Sequence, residues 1–168
     1  MRTIIFALAL GSVAAFADMP EGPPEVVNEW SDDHSAQAVS DPKTNQTTVS
    51  TMSLDATPTR VLWTYPEWFR HFQVAPGGAA IVVQNADLLP LDATGDFVVL
   101  RFIVRGRVVR QITISELLGP SSKLERTASH LSWGRGLYGI DRHGLVFVDT
   151  NAGFLIFEAE TGKCIFPK

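Results

Sequence analysis

The stretch from 137 to 166 constrains the fold more tightly than any other part of the chain. Apolar runs at 137–140, 145–149, 154–158 and 163–166 are separated by Asp141-Arg142-His143-Gly144, Thr150-Asn151-Ala152-Gly153 and Ala159-Glu160-Thr161-Gly162. Every linker ends in glycine, and Gly144, Gly153 and Gly162 recur at nine-residue spacing. Glycine reaches positive φ without steric cost, which tight reversals of an extended chain require. Short strands at this spacing, with a turn signal between each pair, predict an antiparallel meander.

The same grammar runs through the preceding residues. Short β-type runs at 35–40 and 47–53 flank Asp41-Pro42-Lys43-Thr44-Asn45, where proline presets φ and the Asx side chains bond their own backbone. A third strand at 60–65 ends at Pro66. The segment 72–75 leads through Pro76-Gly77-Gly78 into the apolar run 79–83, followed by a polar loop over 85–96. Segments 97–104 and 107–114 form a hairpin turning at Arg105-Gly106. Ser115 is placed to cap one helical turn through 116–118, stopped by Gly119-Pro120.

These runs fall into three groups of roughly 40–50 residues, near the length of one propeller blade. Val74-Ala75-Pro76-Gly77-Gly78-Ala79-Ala80-Ile81-Val82 is similar to the strand–turn–strand opening of a blade. Phe157-Glu158-Ala159-Glu160-Thr161-Gly162-Lys163-Cys164 is similar to a blade's last hairpin. The chain thus resembles β-propeller repeat proteins. Closed propellers hold about 4–8 blades, and three groups are too few. The resemblance therefore implies an open or incomplete propeller of about three four-stranded units, or a ring completed by another copy or a partner. An antiparallel β-sandwich gives a similar strand pattern and is the alternative.

Met1-Arg2, an apolar run at 4–10 and the small-residue ending Ala15-Phe16-Ala17 have the form of a signal peptide, with cleavage expected after Ala17. The apolar run is shorter than the roughly 20 residues a membrane span needs. The expectation is therefore a secreted or periplasmic chain, with no membrane insertion after cleavage. A Pro/Gly-rich tether follows over 18–28, and one all-β domain fills 29–168. Cys164 is the only cysteine, so the choice is between a small residue in a terminal strand and an intermolecular disulfide. The net charge of −4 argues against a nucleic-acid partner. Residues 18–67 hold nine acids and two bases, and 68–143 six acids and nine bases, so the acidic third is expected to lie against the basic middle.

The hairpin raises a specific physical question. A two-residue loop pairs Val104 with Arg107 and, carried inward, Arg101 with Arg110 on an otherwise apolar face. Like charges directly opposed destabilise a sheet, and guanidinium groups cannot shed their protons, so an anionic partner is expected. An internal carboxylate or a ligand anion would serve. Otherwise the arginines snorkel to water, or a different loop length separates them. Trp63 and Trp68 lie in an aromatic stretch that either grips a partner or packs a strand end.

Asp32, Asp33 and His34 are a weak candidate set of metal ligands, and with His71 and His130 they define an alternative reading as an exported, possibly metal-assisted hydrolase. No paired-cysteine, H-x-x-x-H, G-x-S-x-G or phosphate-loop pattern is present, so no cofactor is expected. The favoured reading is an exported, non-catalytic binding or assembly module with a protein partner or a second copy of itself.

Overall fold

The computed structural model describes residues 22–53, 55–86, 88–119 and 124–166. The expected signal peptide, 1–17, and the first part of the expected tether lie outside the described residues.

Sheet 1 consists of β1 (Val27–Trp30), β2 (Ala36–Asp41), β3 (Gln46–Met52) and β4 (Pro58–Tyr65). Sheet 2 holds β5 (His71–Val74), β6 (Ala80–Gln84), β7 (Val98–Val104) and β8 (Arg107–Thr113), with a 3-10 turn (Pro76–Gly78) between its first two strands. A single helical turn α1 (Ile114–Leu118) and a small ribbon of β9 (Glu125–Arg126) and β10 (Leu131–Ser132) follow. Sheet 3 closes the chain with β11 (Gly134–Ile140), β12 (Leu145–Thr150), β13 (Gly153–Glu158) and β14 (Cys164–Phe166). The strands of each four-stranded sheet lie in sequence order and pair antiparallel. The fold is therefore all-β, three successive meanders of four strands, with no closed barrel among the described residues.

Local chemistry explains the turns. Gly144, Gly153 and Gly162 all have positive φ, at 77°, 126° and 66°. The 97–114 hairpin turns where expected, with Arg105 at φ 49° and Gly106 at φ 77°, the left-handed pair that matches strand twist. The helical turn differs in its cap. Thr113, still extended, receives the Glu116 amide on its side-chain oxygen, so the cap lies two residues before Ser115. Gly119 ends the turn with φ 77°. β1 begins at Val27, within the stretch expected as tether. The loop after β6 is less polar than expected, because Leu89 is fully buried and bridges to Leu131.

Sheet 2 is the middle layer, and its second strand shows why. All five residues of β6 are buried, as a strand covered on both faces must be. Ile81 and Val83, with Phe72, Val74 and Ile103, pack against Ala36, Ala38 and Val49 of sheet 1. Ala80 and Val82, with Leu100, Phe102 and Ile112, pack against Val146, Val148 and Phe157 of sheet 3. Trp133 and Leu89 fill the second core, with the Trp133 indole donating to the Ala86 carbonyl at 3.1 Å. The first strands of the three sheets are neighbours, since β5 lies against both β1 and β11.

The expected face-to-face pairing of Arg101 with Arg110 is not formed. Val104 pairs with Arg107 and Ile103 with Val108, but a bulge between Phe102 and Ile103 then shifts the register. Arg101 pairs with Gln111 and Phe102 with Arg110. One extra residue on β8 swaps the side chains that follow to the other face, until a second shift between Val98 and Leu100 restores the register, so the two arginines leave opposite sides of the sheet.

Candidate functional site

Arg101 projects on the sheet 1 side, where it meets Glu67 in a bidentate ion pair with N–O distances of 2.7 and 2.8 Å. Its Nε donates to Asn85 Oδ1 at 2.8 Å, and its guanidinium carbon lies 4.9 Å from the Phe69 ring centroid. The side chain is only 15 % exposed. Hydrogen bonding to Glu67 holds its pKa above the ordinary arginine value, against the opposing effect of burial. The partner is thus an acid of the N-terminal third, reached through the β4–β5 connection. Arg110 takes a separate partner, Glu116 of α1, at the protein surface.

The two tryptophans serve packing and anchoring. Trp63 donates its indole N–H to the Gly78 carbonyl at 2.7 Å and borders the core between sheets 1 and 2. Trp68 donates to the Glu25 carbonyl at 3.0 Å. Beside it, Arg70 reaches the Gly22 carbonyl at 2.7 Å and stacks 5.3 Å from the Trp68 ring. Together they pin the segment that leads into β1.

Asp32, Asp33 and His34 occupy the β1–β2 turn. Asp33 accepts from the Ser31 hydroxyl, the Ser35 amide and the Ser35 hydroxyl, between 2.7 and 3.1 Å. Burial acts to raise its pKa, but these hydrogen bonds outweigh it and hold the carboxyl below its ordinary value. His34 has a left-handed backbone (φ 56°), and its ring lies 6.1 Å from that of Trp30. An open groove of about 970 Å³ runs past Trp30, His34 and Met52 to Asp55. His71 lies on β5, and His130 is buried beside the hydroxyls of Thr127 and Ser129 before β10. Among the described residues, no group of three or more histidine, cysteine or acidic side chains is placed to hold a metal ion.

Where the three first strands meet, a cleft of about 270 Å³ is lined by Glu29, Arg70, His71, Gln84 and Arg135. Burial pushes the Glu29 pKa up, and the charge of His71 acts in the other direction. Gln84 spans the junction, accepting the Leu137 amide of β11 on its side-chain oxygen. With Glu29 among basic side chains, the cleft is mixed in sign and has no strong preference for anion or cation.

The outer faces of the end sheets differ sharply. On sheet 3, Phe147 pairs with Ile156, Asp149 with Phe154, and Ile156 with Phe166, all on the side turned away from sheet 2. Phe154 is 42 % and Phe166 54 % exposed, and the Phe147 and Phe154 rings lie 6.0 Å apart. Of these, the four apolar residues Phe147, Phe154, Ile156 and Phe166 pack into neither core. On sheet 1, the outer face carries Asn28, Val39, Thr48 and Thr64 in one row and Trp30, Gln37, Ser50 and Val61 in the next. The apolar outer row of sheet 3 was available as a sequence signal. Leu145-Val146-Phe147-Val148 is apolar at every position, whereas a strand covered on one side alternates with polar residues. No family model, curated protein or solved structure matches this chain.

Proposed function

We propose that this chain is an exported, non-catalytic assembly module that presents the outer face of sheet 3 to another polypeptide. The carrying observation is the row Phe147, Phe154, Ile156 and Phe166, which lies outside both cores while sheet 2 is covered on both sides. Large apolar side chains gathered on an exposed face are the mark of an interaction surface. Export follows from the leader features at 1–17, and the meander supplies a rigid platform for the face. The hydrolase reading fares less well, because His34, His71 and His130 sit in three separate places: the β1–β2 turn, the junction of the first strands, and the approach to β10.

Site-specific photo-crosslinking tests the assembly reading. A benzophenone side chain installed at Phe154 should give a discrete adduct with a polypeptide in the producing cell. The same probe at Thr44, in the exposed β2–β3 turn, should give none. Absence of an adduct at Phe154 would overturn the proposal.

A further inference from the structure

Beside Asp149, sheet 3 ends the stack with large apolar side chains outward, whereas most outward side chains of sheet 1 are smaller. Apart from Trp30 and Gln37, the outer face of sheet 1 presents Asn28, Val39, Thr48, Ser50, Val61 and Thr64. The same contrast already operates inside the chain. The small residues Ala36, Ala38 and Val49 of sheet 1 receive Phe72, Ile81 and Ile103 of sheet 2. Facing layers interdigitate best when large positions meet small ones. The outer face of sheet 1 therefore has the relief that the outer face of sheet 3 needs.

From this complementarity we infer that the occupant of sheet 3 is a second copy of the chain, seated head to tail. Sheet 3 of each protomer covers sheet 1 of the other, and the pair closes a ring of six sheets. The inference rests on the assembly reading above and names its partner.

Ring size and area both fit. Three sheets per chain make six for the pair, inside the range of about 4–8 that closed rings of small sheets adopt. The first strands already lie side by side, with β5 touching β1 and β11, so the copy continues an arc already begun. A four-stranded sheet with strands of about six residues measures about 20 by 19 Å, from a rise of about 3.3 Å per residue and a spacing of about 4.8 Å. Two seams cover four such faces, about 1,500 Å² in all, within the roughly 1,200–2,000 Å² of specific, stable interfaces. A two-fold pair joined through two different patches closes on itself and leaves no face free for fibre growth.

Light scattering after size exclusion, on the wild-type chain and two variants, tests the inference. F154D places a charge on sheet 3 and V61R one on sheet 1. Both positions are exposed in the single chain, and an unchanged circular dichroism spectrum with a cooperative melt confirms that each variant folds. The wild type should run at twice the chain mass. Each variant alone damages both seams and should weaken the pair by about 100-fold or more. Mixing the two variants should restore a dimer, because one seam then joins an unaltered sheet 3 to an unaltered sheet 1. A dimer insensitive to V61R, or no recovery on mixing, overturns the head-to-tail arrangement. A monomeric wild type overturns the second copy as occupant. The assembly reading then still stands if the Phe154 crosslink captures a different polypeptide, and falls with it if no adduct forms.

Discussion

A guanidinium cannot shed its charge inside a protein, so where it is half buried the chain must bring it an anion. That requirement at Arg101 is legible in the sequence, because an arginine stands among apolar strand residues. The identity of the anion is not. Glu67 lies 34 residues earlier, after the proline that ends β4, and only the packing of sheet 1 on sheet 2 brings the two together. The fork-to-carboxylate geometry makes the pair worth more than a solvated surface bridge. Glu67→Ala should therefore cost about 1–3 kcal/mol in urea unfolding, mostly by stranding Arg101. The double variant E67A/R101M should recover at least half of that loss, since the methionine stem still covers Phe69 and no charge is left unpaired. A neutral E67A would mean that water reaches Arg101 well enough to replace the carboxylate.

Among the strands and their connections, turns are more legible in the sequence than register. Each glycine-closed turn announces itself locally through the need for positive φ, and the strands between them follow from alternation. The bulge in β8 has no local signature, because Val108-Val109-Arg110 reads as continuous strand in any register. β1 is hidden in the sequence for a different reason. Its four residues are held by pairing with β2 and by the anchors at Trp68 and Arg70, contacts that a proline-rich lead-in conceals. The turn itself offers a direct test. At Gly106, a Cβ would lie 2.9 Å from the Thr64 carbonyl oxygen, on a backbone with φ 77°. Gly106→Ala should cost about 1–2 kcal/mol for the left-handed conformation alone. Arg105→Asn, at φ 49°, should instead raise stability by a few tenths to about 1 kcal/mol, because asparagine tolerates that conformation better. In a domain of this size each kcal/mol moves the melting temperature by about 2–4 °C, so opposite shifts from adjacent positions are readily separated.

The described residues form a stack of three layers in which the middle one is covered on both faces, and stability should divide along those faces. Ile81 and Val82 are neighbours on β6, both fully buried, yet Ile81 belongs to the core shared with sheet 1 and Val82 to the core shared with sheet 3. In stacked architectures each unit contacts only its neighbours, so the free energy is close to a sum of unit and interface contributions. Ile81→Ala should remove about 2–5 kcal/mol from the first interface. Val82→Ala should remove less from the second, because fewer methyl groups are lost. Native-state hydrogen exchange distinguishes the two directly. I81A should accelerate exchange of the amides of β2 and β3 while those of β12 and β13 keep their protection, and V82A should do the reverse. Uniform acceleration by both variants would show instead that the three sheets open as one unit. Ring closure should soften that contrast. In a dimer, sheets 1 and 3 gain a second neighbour, so the regional difference between I81A and V82A should shrink as protein concentration rises through the dissociation constant of the pair.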